Sequence, residues 1–226
     1  MTRDRIATAL NVVAYAVVLA CVVGWAYSRL AHGTQATSEN AAFEDEDRFW
    51  GRVDGGTWIG PTDAEVVVLV YSNYACTYCR NFGATMDEVR RRYPQHVALV
   101  VKHFVPPGNR SLRLEQMSSA AECSAELGRF EDFHREALRE PDLFHSGSWR
   151  NPGRRAGLSS AEMASLEDCV RSRRHLGRVR AQFDEALVEG VDGTPVVVMR
   201  SRVFDGEPTL EQLEAAIISE LRVRAQ

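Results

Sequence analysis

Five apolar residues in succession, Val66-Val67-Val68-Leu69-Val70, are followed at close range by the cysteine pair Cys76 and Cys79. An unbroken, largely β-branched run of this length suits a strand buried on both faces, which requires helices above and below the sheet. Ser72-Asn73-Tyr74 interrupt the run. From Cys76 onward Phe82, Met86, Val89 and Tyr93 recur at helical spacing until Pro94 stops them. The cysteine pair is therefore expected where a strand gives way to a helix. A second apolar run, Val97 to Val101, ends near Phe104, and Pro106-Pro107-Gly108-Asn109 marks a turn after it. Strand, helix and strand make a crossover unit, and the fold class is α/β.

The centre of the chain changes period. Leu114, Met117 and Ala121, then Leu158, Met163, Leu166 and Val170, then Leu176, Val179, Phe183 and Leu187 fall at helical intervals. This predicts a helical insertion over about residues 111–189, cut into short helices by Gly128, Pro141, Gly147, Pro152 and Gly157. After Gly190 the strand pattern returns in Val196-Val197-Val198-Met199 and in Arg202-Val203-Phe204, a hairpin ending at Asp205-Gly206. Pro208 and Thr209 open a last helix carrying Leu210, Leu213, Ile217 and Leu221.

Ahead of this domain, Ile6 to Tyr27 carry no ionisable group beyond aromatic hydroxyls and the thiol of Cys21, and as a helix they would span about 33 Å. The expected organisation is a cytoplasmic N-terminus at 1–5, a transmembrane anchor at 6–27 that holds Cys21, a flexible acidic tether at 28–48 and a folded domain at 49–226. Arg3 and Arg5 before the run against Arg29 after it favour an extracytoplasmic domain, making this a single-pass cell-membrane protein. A cleaved signal peptide is the alternative. The net charge of −4 gives no footprint for nucleic acid. Outside the cytoplasm disulfides persist, and the four cysteines beyond Cys21 form an even set that suggests two pairs.

Cysteines at i and i+3 in the first turn of a helix lie on one side, close enough for reversible closure. The first also sits among unpaired backbone N–H groups at the positive end of the helix dipole, which favours a thiolate. Cys76 is the expected nucleophile, and Cys79 would resolve a mixed disulfide by attacking its sulfur. Half a zinc site is the competing reading of the motif. Cys123 and Cys169 are too far apart in sequence to form a second knuckle, so no metal is expected. Gly193-Thr194-Pro195 stands directly before an apolar strand, where a proline marks an edge, a start or a cis bond.

The segments Tyr71-Ser72-Asn73-Tyr74-Ala75-Cys76-Thr77-Tyr78-Cys79-Arg80-Asn81-Phe82 and Gly190-Val191-Asp192-Gly193-Thr194-Pro195 resemble the DsbA-like branch of the thioredoxin superfamily, of the Gram-positive or actinobacterial membrane-anchored type. The resemblance covers most of Val66 to the C-terminus. It implies a thioredoxin-like fold with a helical insertion, a cis Thr194-Pro195 peptide facing the cysteines, and pairing of the Thr194 backbone with an extended client segment. It also implies reduced exported proteins as clients and a quinone-linked membrane partner of the DsbB or vitamin-K-epoxide-reductase kind. No organic cofactor is required. This sequence departs from the family in the dipeptide Thr77-Tyr78, which lacks the frequent Pro or His. It departs again at Val70, where relatives place a buried acid on the strand, and at Asn73, where Asp is common. Lys102 is a candidate to serve Cys79 in place of the acid, against the commoner reading of a lysine reaching solvent.

Cys123 and Cys169 both lie on apolar stripes of the insertion. A bond between them would close a loop of about 45 residues and contribute about 3–4 kcal/mol; separate buried thiols are the alternative. Relatives with a second bridge in this insertion favour the disulfide. The stretch Arg171, Arg173, Arg174, Arg178 and Arg180 reads as a solvated face, and the histidines show no ligand spacing. The expected activity is an oxidase that donates the Cys76-Cys79 disulfide to exported proteins. The alternatives are a reductase or isomerase of extracytoplasmic thiols, or a tethered chaperone without redox turnover, with Tyr74 and Tyr78 serving peptide binding in either case.

Overall fold

The structure is a computed structural model, and it describes residues 46–108, 111–140, 143–145 and 147–225. The segments assigned to the cytoplasmic N-terminus and the anchor, Cys21 and the tether up to residue 45 lie outside the described residues, as do Asn109 and Pro141. In chain order the elements are α1 (Glu46–Val53), β1 (Thr57–Ile59), β2 (Val66–Ser72), α2 (Thr77–Arg92), β3 (Val97–His103), α3 (Ser111–Glu126), α4 (Phe130–Leu138), α5 (Arg150–Arg155), α6 (Ser160–Arg171), α7 (Leu176–Val188), β4 (Val196–Met199), β5 (Arg202–Asp205) and α8 (Leu210–Arg224).

The strands form one sheet in the order β1-β3-β2-β4-β5. Central β2 runs parallel to β3, pairing Val66 with Val97 through Ser72 with His103, while β4 pairs antiparallel to β2 on its other side. Every residue of β2 and β3 is buried, as the unbroken apolar runs require of strands covered on both faces. On one face Val66, Val68, Val70, Leu99 and Val101 pack with Phe82, Met86 and Val89 of α2 and with Leu213 and Ile217 of α8. On the other, Val67, Leu69, Tyr71 and Val100 meet Phe49 and Val53 of α1 and Ala186 of α7. Gly83 lets α2 approach α4, since a Cβ there would stand 2.7 Å from Leu138 Cδ1.

Two elements depart from the sequence reading. Glu46 and Asp47, expected in the tether, form the first turn of α1, where carboxylates oppose the positive end of the helix dipole. β1 escaped notice because three residues are too few to establish a period. It pairs antiparallel to β3, Thr57 opposite Val101.

The single-pass cell-membrane localisation does not stand. Among the described residues no helix is long and apolar enough to cross a membrane. The longest, α2 and α3, have 16 residues each, well short of the ~20 a bilayer needs, and α2 carries three arginines in its last turn.

Between β3 and β4 the chain forms α3 to α7, and Cys123 of α3 is bonded to Cys169 of α6 across a sequence separation of 46. Both sulfurs are buried among apolar side chains. Replacing both cysteines by alanine is expected to lower the unfolding free energy by about 3–4 kcal/mol, because the unfolded chain regains the entropy of an open loop. Urea titration of the double variant beside the parent measures this.

Candidate functional site

The turn between β2 and α2 is built around Asn73. Its carbonyl oxygen accepts the Cys76 N–H at 3.0 Å, and its side-chain Oδ1 accepts the Ala75 N–H at 2.8 Å. Its Nδ2 donates to the Phe104 carbonyl at 2.8 Å, which fixes the turn to the end of β3. Short polar residues stabilise turns in this way by taking over backbone partners. Cys76 then caps α2: its Sγ accepts the Cys79 N–H at 3.4 Å.

The two sulfurs are free thiols in unlike surroundings. Cys76 is half-buried and donates to the Thr194 carbonyl at 3.2 Å, while Cys79 is buried, 1% exposed. Burial pushes the Cys79 thiol up to about 11, against the pull of the Asn73 N–H and the hydroxyls of Ser72 and Thr194. The Thr194-Pro195 peptide is cis, with Pro195 buried and Thr194 half-buried. Thr77 and Tyr78 face solvent, the Tyr78 ring 64% exposed.

Behind this centre lies a polar cluster with no signature in the sequence. The Tyr74 hydroxyl and His134 Nδ1 of α4 are 2.9 Å apart, and the Tyr74 ring lies 5.7 Å from that of His103 at the end of β3. His103 Nε2 hydrogen-bonds Glu122 Oε1 of α3 at 3.1 Å. Both Glu122 oxygens accept from the Thr57 hydroxyl, and Arg178 Nε of α7 lies 3.2 Å from Oε2. Burial raises the Glu122 carboxyl, but bonding and charge from His103, Arg178 and Thr57 outweigh it and hold the group below its ordinary range. Burial, with His103 and Arg135 adding to it, depresses His134 to about 3. A histidine or glutamate in a helical window gives no sign of its partner when that partner is remote in sequence.

Lys102 does not reach solvent and does not approach the cysteines. It is 0% exposed, points to the face opposite α2, and its Nζ lies 2.5 Å from Glu185 Oε1. Nor is the arginine stretch merely a solvated face. Arg174, Arg178 and Arg180 pair with Glu126, Glu122 and Glu115, binding α7 and its approach to α3. Cys123, Cys169 and His175 have their donor atoms within 4.8 Å of one another, but with the sulfurs joined they offer a metal no thiolate.

A family model described as Thioredoxin matches residues 52–218. The chain belongs to the thioredoxin family. In this thioredoxin-family chain two free thiols, Cys76 and Cys79, stand at the start of α2. Its fold is similar to that of "the thiol-disulfide exchange protein alpha-DsbA2" from Wolbachia pipientis, at 17% identity and a TM-score of 0.63, covering 76% of this chain and 92% of that one. It is equally similar to oxidised BdbD from Bacillus subtilis, at 17% identity and a TM-score of 0.63, covering 75% and 95%. Among curated proteins, a Na(+)/H(+) antiporter NhaA 3 of Salinispora tropica is 28% identical over 160 residues, 71% of this chain and 24% of that protein. The chain thus spans about a quarter of the length of the curated relatives it matches. Their antiporter names give the single-pass placement no support.

Two outcomes follow from these environments. In the reduced, folded thioredoxin-family chain at pH 7, iodoacetamide is expected to label Cys76 alone, with Cys79 reacting only as the pH nears about 11 or on unfolding. Mass spectrometry of the digested protein reads this directly. The unfolded chain takes up a proton at His134 below about 6.5, which the folded chain refuses until about 3. Stability from the neutral ring is full above that window and falls as pH drops through it. His134→Gln is expected to flatten this part of the acid limb in urea titrations from pH 7 to pH 3.

Proposed function

We propose that the protein is an oxidase for cysteine pairs in exported proteins, acting outside the cytoplasm through a mixed disulfide at Cys76. The observation that carries this reading is the inequality of the two thiols. Cys76 is half-buried and Cys79 is enclosed behind it, so a client sulfur can reach Cys76 and not its partner.

A client thiolate attacks Cys76 Sγ of the oxidised enzyme. The Cys76–Cys79 bond breaks, and Cys79 leaves with the electron pair and takes a proton. A second client thiolate then attacks the client sulfur of the mixed disulfide, closing the client's bond and releasing Cys76. Two electrons have passed from client to enzyme. The Thr194 carbonyl, 3.2 Å from Cys76 Sγ, marks where an extended client segment would lie, and exposed Tyr78 offers it an aromatic surface. Reoxidation falls to a membrane protein of the DsbB or vitamin-K-epoxide-reductase type.

The Cys123–Cys169 disulfide supports an oxidising compartment, because such bonds are rare where glutathione and thioredoxin keep thiols reduced. The absence of His from Thr77-Tyr78 argues for a potential less extreme than that of the strongest oxidants. Equilibration with glutathione buffers is expected to place the centre between DsbA, near ~−120 mV, and thioredoxin, near ~−270 mV, and nearer the former. Turnover of a reduced two-cysteine peptide should vanish in Cys76→Ser. A potential at the thioredoxin end, or undiminished turnover in that variant, would refute the oxidase.

A further inference from the structure

The helical insertion holds a cavity of about 520 Å³ whose walls share no residue with the cysteine site. Its volume lies within the ~300–1,000 Å³ of pockets that take small molecules. Leu112, Glu115, Gln116 and Ser119, spaced along one face of α3, form one wall. The end of α6, the turn after it and the first half of α7 form another, and Trp149 and Arg150 complete the enclosure. The Cys123–Cys169 disulfide ties α3 to α6 beside the cavity, Cys169 being the neighbour of Val170 in its wall.

The charges of these walls are matched save one. Arg150 Nε lies 2.6 Å from Glu167 Oε1, Arg180 holds both oxygens of Glu115 at 2.8 and 3.2 Å, and Arg171 pairs with Asp168 at 2.8 Å. Gly147 makes room for the first of these, since a Cβ there would collide with the Arg150 guanidinium. Arg173, in the turn between α6 and α7, has no ion-pair or hydrogen-bond partner among the described residues. Its φ of +56° is left-handed, a conformation that asparagine adopts more readily, so the backbone is not what calls for arginine here. The α3 wall carries a second uncommitted group. Ser119 is only 4% exposed, and among the described residues its hydroxyl has no hydrogen-bond partner. A polar group so enclosed ordinarily has one. Beside these two groups the wall is apolar, with Leu112 54% exposed and Val170 and Leu176 half-buried.

We propose that the cavity is a binding site for a small monocarboxylate with an apolar body. One uncommitted guanidinium matches one negative charge, where a phosphate dianion would need two, and its planar fork suits a carboxylate. The Ser119 hydroxyl donates to a ligand oxygen, and Leu112, Val170 and Leu176 cover the apolar body. Binding is reversible and involves no chemistry at the cysteines.

Isothermal titration calorimetry of the full chain with octanoate at pH 7 tests this. Octanol, which has the body without the charge, and acetate, which has the charge without the body, are the comparison compounds. Octanoate is expected to saturate one site per chain, about 10-fold or more tightly than either. Arg173→Asn removes the charge and suits the left-handed backbone; it should weaken octanoate about 10-fold and leave octanol unchanged. Ser119→Ala should weaken octanoate several-fold. Octanol bound as tightly as octanoate, or octanoate bound undiminished by either variant, overturns the proposal. So does saturation by a peptide with a free C-terminal carboxylate where octanoate does not bind, which would make the cavity a protein-docking site.

Discussion

Asn73 engages all four of its polar groups in the turn between β2 and α2. Its carbonyl and Oδ1 accept the N–H groups of Cys76 and Ala75, its Nδ2 holds the Phe104 carbonyl, and its own N–H points to Cys79 Sγ at 3.5 Å. These bonds decide where α2 begins, and so which cysteine caps the helix and which is carried inside. Were α2 to begin three residues later, Cys79 would become the cap and Cys76 would belong to the turn. The asymmetry of the two sulfurs therefore originates in backbone satisfaction at a strand end, before any question of reactivity arises.

Around that turn the sheet separates two kinds of polar burial. On the far face Lys102, Tyr71 and Glu185 form a bonded group packed against α7, remote from the cysteines. On the near face His103, Glu122 and Thr57 connect the end of β3 to α3 and β1, with Tyr74 and His134 alongside. A buried carboxylate held in this way is weak evidence for stability, because desolvation offsets most of the attraction. What it does secure is register. Glu122 reaches His103 only if α3 holds its axial position, and the next residue, Cys123, is fastened to α6. The disulfide and the Glu122–His103 hydrogen bond, neighbours in sequence, thus fix one helix in two directions.

The elements nearest the centre were legible because their patterns are local. A five-residue apolar run, a cysteine pair at the following helix start, a proline before a strand and a Pro-Thr helix opening each declare themselves within a few residues, and Thr209 is indeed the cap of α8. The misreadings share one cause. β1 is defined by its partner rather than by its own period, and Lys102 by Glu185, 83 residues away. Along α7 the stripe Val179, Phe183 and Leu187 looked continuous, yet Leu187 is 52% exposed while Gln182 is buried. Gln182 goes inward because its amide is needed by the His103 N–H and the Gly55 carbonyl, a demand no hydropathy pattern expresses. In α3 nearly every side from Met117 to Ser124 is buried, so periodicity could not mark Glu122 as an interior residue with a purpose.

The direction of electron flow turns on how each thiol is held. A dithiol oxidises its client when the reduced form is favoured over the disulfide, and a stabilised thiolate at the exposed cysteine is one way to achieve that. Here the side chains of Thr77 and Tyr78 face solvent and bring no positive charge to Cys76. Support for its sulfur comes from the Cys79 N–H and the first turn of α2. The other contribution lies with Cys79: burial that keeps it protonated also favours the reduced state, provided a proton can reach it. A fold that encloses its second cysteine this closely thereby makes the burial of Cys79, as much as the exposed dipeptide, a determinant of the exchange.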